Sequence, residues 1–144
     1  MARFSVAGRA TVIGTTVRAM ASVFGIAATG FRLREVGVFN TTSTAVAVAL
    51  CRFTNATGVG AGLTAVSYDP AAVARCTGFA GHTADGAVGA NFRYATLAAA
   101  VGSGVIWTFG DTGVIGPVTT ALGIGIICPT GTGQLCDYYI DFDE

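Results

Sequence analysis

Apolar residues along this chain recur mainly at alternate positions, in short runs punctuated by Gly, Pro, Asn, Asp and Thr, which is the pattern of β-strands rather than helices. The longest such stretch is residues 31–53, FRLREVGVFNTTSTAVAVALCRF, where two runs rich in Val and Phe flank the polar segment Asn40, Thr41, Thr42, Ser43, Thr44. It reads as a β-hairpin. With the turn centred on Thr42, one face carries Phe31, Leu33, Glu35, Gly37 and Phe39 opposite Phe53, Cys51, Ala49, Ala47 and Ala45. The other face pairs Val38 with Val46, Val36 with Val48, Arg34 with Leu50 and Arg32 with Arg52. Large side chains mostly meet small ones, as a packed face requires. Both faces are apolar near the turn, so a second packing surface is implied, either another sheet of the chain or another subunit.

The remaining segments repeat the theme. Residues 1–9 alternate Phe4 and Val6 with Arg3 and Ser5, giving a first strand or an N-terminal arm ahead of a single domain over 10–144. Residues 11–28 fit two patterns: Ile13, Val17, Met20 and Phe24 a helical stripe, Ala19, Ala21 and Val23 a strand. The β-branched Thr11, Thr15 and Thr16 and the early Gly14 favour the strand. Residues 55–62 form a glycine-rich loop, 63–68 a short strand, and Asp69-Pro70 turns into one helical turn over 71–75. Residues 77–89, which hold the only histidine, His82, make the longest loop and a candidate contact surface. Residues 91–98, 104–109 and 114–118 read as strands, the second carrying the single tryptophan, Trp107. In residues 122–128 Ile alternates with Gly, as happens where another sheet or backbone approaches closely.

The final strand, 135–142, places Cys136, Tyr138, Ile140 and Phe142 on one face. Asp137, Tyr139, Asp141 and Asp143 lie on the other, where solvated acids would protect a terminal strand from sticking. About eight short strands without a long helix give an all-β fold, a two-sheet sandwich or jelly roll.

Composition changes this picture in one respect. Charged residues make up 11% of the chain, against roughly 25% in ordinary soluble domains. So sparse a charged exterior implies that much of the outside is buried against other subunits. All eight cations are Arg and all lie in residues 1–93 with three acids; residues 94–144 hold five acids and no Arg. A neutral chain with ends of opposite sign suits docking on its own copies or on an acidic protein surface, although scattered solvated charges give the same count. Cys51, Cys76, Cys128 and Cys136 lack C-x-x-C spacing and read as small buried hydrophobes, with a Cys128–Cys136 disulfide left open for an oxidising setting. Arg9 and Arg18 interrupt any leader-like apolar run, and glycines and prolines break the uncharged run 112–136, so neither a cleaved leader nor a membrane partner is expected.

A search for chemistry finds little. One histidine cannot assemble a metal site, and no serine sits in a G-x-S-x-G context. The glycines of residues 58–62 lack both dinucleotide and P-loop spacing. Arg32, Arg34 and Arg52 form one small group, better suited to an interface or ion pairs than to nucleic acid. No catalytic residue, cofactor or metal is therefore assigned.

Three stretches, MARFSVAGRA, REVGVFNTTSTAVAVALCRFT and GIGIICPTGTGQLCDYYIDFDE, resemble a family of small structural proteins encoded by tailed phages of actinobacteria. Together they cover well under half of the chain. The resemblance implies a virion component, first an outer-capsid decoration (cement) protein on the capsid exterior, assembled in the host cytoplasm. Such a protein would form a homotrimer, dock on the major capsid protein and tie capsomers together. The alternative is a minor tail or head-fibre subunit that binds carbohydrate or a receptor through exposed Trp107, Tyr94 and Tyr139. Contacts are expected at Arg3 and Phe4, at Arg32, Arg34 and Arg52, and at His82, Thr83 and Asp85.

Overall fold

The computed structural model describes residues 1–12, 18–54 and 60–144; Ile13 and Val17 of the ambiguous segment and residues 55–59 of the glycine-rich loop lie outside them. Twelve strands form two antiparallel six-stranded sheets packed face to face, and no helix is present among the described residues. Sheet A contains β1 (Arg3–Thr11), β3 (Phe31–Asn40), β6 (Val66–Ser67), β9 (Gly104–Thr108), β10 (Val114–Gly116) and β12 (Leu135–Asp143). Its order is β10-β3-β12-β1-β6, with β9 on the same side of β3 as β10. Sheet B runs β5 (Ala61–Leu63), β7 (Thr77–Ala80), β2 (Ala21–Phe24), β11 (Leu122–Ile127), β4 (Val46–Thr54), β8 (Ala87–Leu97). The strand count exceeds the expected eight in part because the strand expected over 63–68 is divided into β5 and β6 and because β7 falls in the expected loop 77–89, being too short to show periodicity. The helical turn expected over 71–75 is instead a turn closed by Ala72 N on Asp69 O at 3.0 Å.

The expected hairpin over 31–53 is not a hairpin. Strand β3 pairs with β12, β9 and β10 in sheet A, while β4 pairs with β11 and β8 in sheet B, so residues 41–45 arch from one sheet to the other. Asn40 holds the arch. Its fully buried side-chain amide donates to the carbonyls of Thr44 (2.7 Å) and Ala98 (3.0 Å), and its Oδ1 accepts from Thr42 N and Oγ1. The two strands therefore meet through their side chains across the core, which explains why both are so apolar.

A bulge in β3 also changes which residues face inward. Asp141 pairs with Glu35 but Phe142 with Leu33, leaving Arg34 as the extra residue. Phe31 and Leu33 point into the core on one side of the bulge, and Val36 and Val38 on the other. Glu35, Gly37 and Phe39 are thereby turned to the outer face.

The main core fills the space between the sheets with Phe4, Val6, Leu33, Val36, Val48, Leu50, Ile124, Ile126, Ile140 and Phe142 among others. Phe142 packs against the rings of Phe4 and Phe31, each at 5.8 Å. A second, smaller cluster, comprising Ala19, Phe24, Ala49, Cys51, Phe53 and Ile127, covers the outer side of sheet B. Gly125 belongs to that side: a Cβ there would lie 3.0 Å from that of Ala19, the close approach that its alternation with Ile suggested.

Candidate functional site

Three places hold side chains able to do something beyond packing. The first is the flank where β8 of sheet B and the broken β9–β10 edge of sheet A lie side by side. Strand β8, eleven residues long, pairs with β4 on one side and with no strand on the other among the described residues. Tyr94, Val101, Ile106 and Ile115 on and around this flank are each more than half exposed. Arg93 lies over the ring of Phe109 and Arg52 over that of Phe92, both at 5.2 Å. Arg52 donates to Ile115 O (3.1 Å), and Ile115 is the ladder partner of Arg32, which itself donates to Thr112 O (3.3 Å). Arg32 and Arg52 thus come to the same strand, β10, from opposite sheets rather than across a hairpin. Among the described residues neither makes an ion pair.

The second place is the outer face of sheet A, where the β3 bulge carries Arg34 beside the end of β12. Arg34 Nε (2.5 Å) and Arg3 Nε (3.2 Å) share the Asp143 carboxylate, and Arg34 Nη1 donates to the carbonyls of Gly110 (2.8 Å) and Asp111. Tyr68 donates to Asp141 Oδ2 (3.0 Å), and Tyr139 to Glu35 Oε1 (2.6 Å). Tyr139 leans over Gly37, where a Cβ would fall 2.1 Å from its ring. Both phenols are held above their ordinary pKa, Tyr68 first by its bond to Asp141 and Tyr139 first by burial and then by Glu35. Arg3, Arg34, Glu35, Gly110, Asp111 and Asp141 line a cavity of about 280 Å³. The acids of β12 were expected to be solvated on a terminal edge. Instead β12 runs between β3 and β1, and Asp141 and Asp143 are over 90% buried.

The third place is beneath the loop 81–86. His82, expected on a solvated contact loop, is buried, packed against the rings of Phe24 and Phe53, and its Nε2 lies 2.7 Å from Oγ of the equally buried Ser22. The loop is drawn in because Gly81 N and His82 N donate to the carbonyls of Met20 and Ala19. Burial lowers the His82 pKa to about 4, so the ring is neutral at pH 7. With both groups sealed from solvent, the pair is a structural hydrogen bond rather than a nucleophile and its base. Of its loop neighbours, Thr83 and Asp85 are exposed, and Asp85 is held by Arg18 at 2.7 Å.

Phe4, expected at a contact, is likewise a core side chain, because β1 pairs with β12 along its whole length and alternation turns Phe4 inward. Trp107 is buried in the main core, and the Tyr139 hydroxyl is engaged by Glu35, so the three aromatics proposed for sugar stacking do not form a platform. All four cysteines are free and buried, and burial pushes Cys136 up to about 11 and Cys51 to about 12. Among the described residues no group of three or more His, Cys, Asp or Glu is arranged to hold a metal ion. The cavity on sheet A was not foreseen; the one sequence signal was the clustering of acids in 137–143 opposite Arg3. Comparisons with family models, curated proteins and solved structures find no match.

Proposed function

We propose that this chain is a non-enzymatic structural subunit of a phage virion, an outer-capsid decoration protein that associates with its own copies as a trimer and docks on the major capsid protein. The observation that carries the self-association is the β8/β9–β10 flank, a long strand edge with no paired strand beyond it among the described residues, beside exposed Tyr94, Val101, Ile106 and Ile115. Monomeric β-proteins blunt such edges with charges, prolines, bulges or covering loops; β8 contains neither Lys nor Pro, and carries only Arg93 and two register shifts against β4 over its eleven residues. The opposite flank ends, among the described residues, in the three-residue β5 and two-residue β6, with Val66, Tyr68 and Val73 exposed nearby. Contact of one flank with the opposite flank of the next copy is heterologous; where its rotation closes it gives a ring, of which a trimer is the smallest. The assignment to a virion shell leans on the resemblance of three stretches to phage structural proteins and on the charge-poor exterior.

Light scattering on the purified protein tests the first half. A species of three times the chain mass is expected, shifting toward one chain when Ile106→Arg and Tyr94→Arg place charge on the flank; a strictly monomeric wild-type protein overturns it. Cryo-electron microscopy of particles tests the second half. Density for this chain over the whole shell is expected, density only at the tail reassigns it to a tail subunit, and absence from particles rejects both.

A further inference from the structure

We infer that the cavity on the outer face of sheet A binds one neutral sugar unit, a ligand whose neighbouring hydroxyl groups each donate and accept hydrogen bonds. The inference stands apart from the virion reading and from the β8 flank. Arg3 and Arg34 line the cavity together with Glu35, Gly110, Asp111 and Asp141, two positive charges against three negative.

Both kinds of hydrogen-bonding group remain available there. Asp143 fixes the two guanidinium groups by their Nε atoms, at 3.2 Å for Arg3 and 2.5 Å for Arg34, and Arg34 Nη1 is spent on the carbonyls of Gly110 and Asp111. Among the described residues, both Nη atoms of Arg3 and Nη2 of Arg34 have no partner, so N–H donors are left over. Acceptors are left over as well. Glu35 accepts from Tyr139 through Oε1 and keeps Oε2, and the carboxylate of exposed Asp111 has no partner among the described residues. Asp141 supplies wall rather than an open acceptor, since its Oδ2 takes the Tyr68 hydroxyl and its Oδ1 is buried.

Charge then narrows the ligand. A cation would approach two guanidinium groups and an anion three carboxylates, each a repulsive meeting of like charges. A neutral hydroxyl meets neither penalty: it donates to a carboxylate and accepts from a guanidinium, and both bonds are charge-assisted. At about 280 Å³, slightly under the roughly 300 Å³ at which small-molecule pockets begin, the space suits one ring rather than a longer glycan. Tyr68, its hydroxyl pinned to Asp141 and its ring 63% exposed, adds an apolar surface one hydrogen bond away from the lining. With the arginines already ordered by Asp143, binding loses little side-chain entropy.

The test is an NMR titration of the full chain with the methyl glycosides of glucose, galactose and mannose, with putrescine and sulfate as charged controls at matched ionic strength. Saturable shifts confined to β3, β12 and the 109–113 loop are expected with at least one glycoside, and none with putrescine or sulfate. Asp111→Ala, on an exposed loop where folding is not at stake, should weaken binding about tenfold or more, the effect of one charge-assisted hydrogen bond. Arg3→Ala, at a half-exposed side chain, should do the same from the donor side, and Asp137→Ala, outside the cavity, should leave the affinity unchanged. Absence of saturable shifts with all three glycosides, an equal response to putrescine or sulfate, or affinity indifferent to both Asp111→Ala and Arg3→Ala overturns the proposal.

Discussion

The outer faces of the two sheets meet the same physical problem in opposite ways. On sheet B the chain folds residues 18–20 and 81–82 back over Phe24, Cys51 and Phe53, making a second apolar cluster whose polar groups are paired inside it, Ser22 with His82 and the Cys51 thiol with Gly125 O. On sheet A the outer face is left uncovered and is filled by ionic and phenolic groups that satisfy one another, from Arg9–Asp137 at one end to Arg3, Arg34 and Asp143 at the other. A covered face contributes stability through burial. An uncovered polar face contributes less and leaves functional groups within reach of a ligand.

The largest test of that contrast compares one ring from each face. Phe53→Ala should lower the unfolding free energy by about 3–5 kcal/mol, since the ring is wholly buried. Phe39→Ala, removing a half-buried ring stacked on Tyr139 at 6.5 Å, should cost about 1 kcal/mol. Denaturant titration measures both, and equal losses would erase the distinction between covered and uncovered faces.

A second, smaller effect is specific to sheet B. His82 titrates near 6.5 in the unfolded chain and at about 4 in the fold, so between these values the unfolded state binds more protons. The stabilisation from keeping the ring neutral is complete above pH 6.5 and is lost as the pH falls toward 4. Over that window it amounts to roughly 2–3 kcal/mol. Midpoints measured across the window should decline with acid in the wild-type protein and much less in His82→Gln; parallel declines would place the sensitivity elsewhere. The smallest effect is expected on sheet A, where Arg9 and Asp137 meet at 2.5 Å with both side chains largely in solvent. Arg9→Ala should leave the denaturation midpoint unchanged within error at moderate salt.

The sequence was most readable where one strand face is buried and the other is not. In β12 the alternation of Cys136, Tyr138, Ile140 and Phe142 with polar residues marks the core face without ambiguity. It misled over residues 31–53, because two apolar runs around a polar turn look the same whether the strands pair edge to edge or face each other across a core. What separates the two cases is the partner of each strand, β12 for β3 and β11 for β4, both remote in sequence. Asn40, whose amide reaches Ala98, is likewise recognisable as the organiser of the arch only after folding. The bulge at Arg34 reversed the inward parity of half a strand, which no count of alternate positions reveals. His82 looked solvated because its burial comes from residues 18–24 and 53, none adjacent to it in the chain. The cavity on sheet A gathers residues from four separate parts of the chain, so only the nearness of several acids in 137–143 hinted at it.

The position of β12 between β3 and β1 also orders events during synthesis. Every described strand of sheet B has been synthesised once Ile127 is made, whereas the middle rib of sheet A is the last described strand to be made. Until Leu135–Asp143 emerges, β1 and β3 wait with their inner edges unsealed, an interval in which a nascent neighbour on the same message could donate the missing rib. A truncation ending before residue 135 would make that vulnerability permanent.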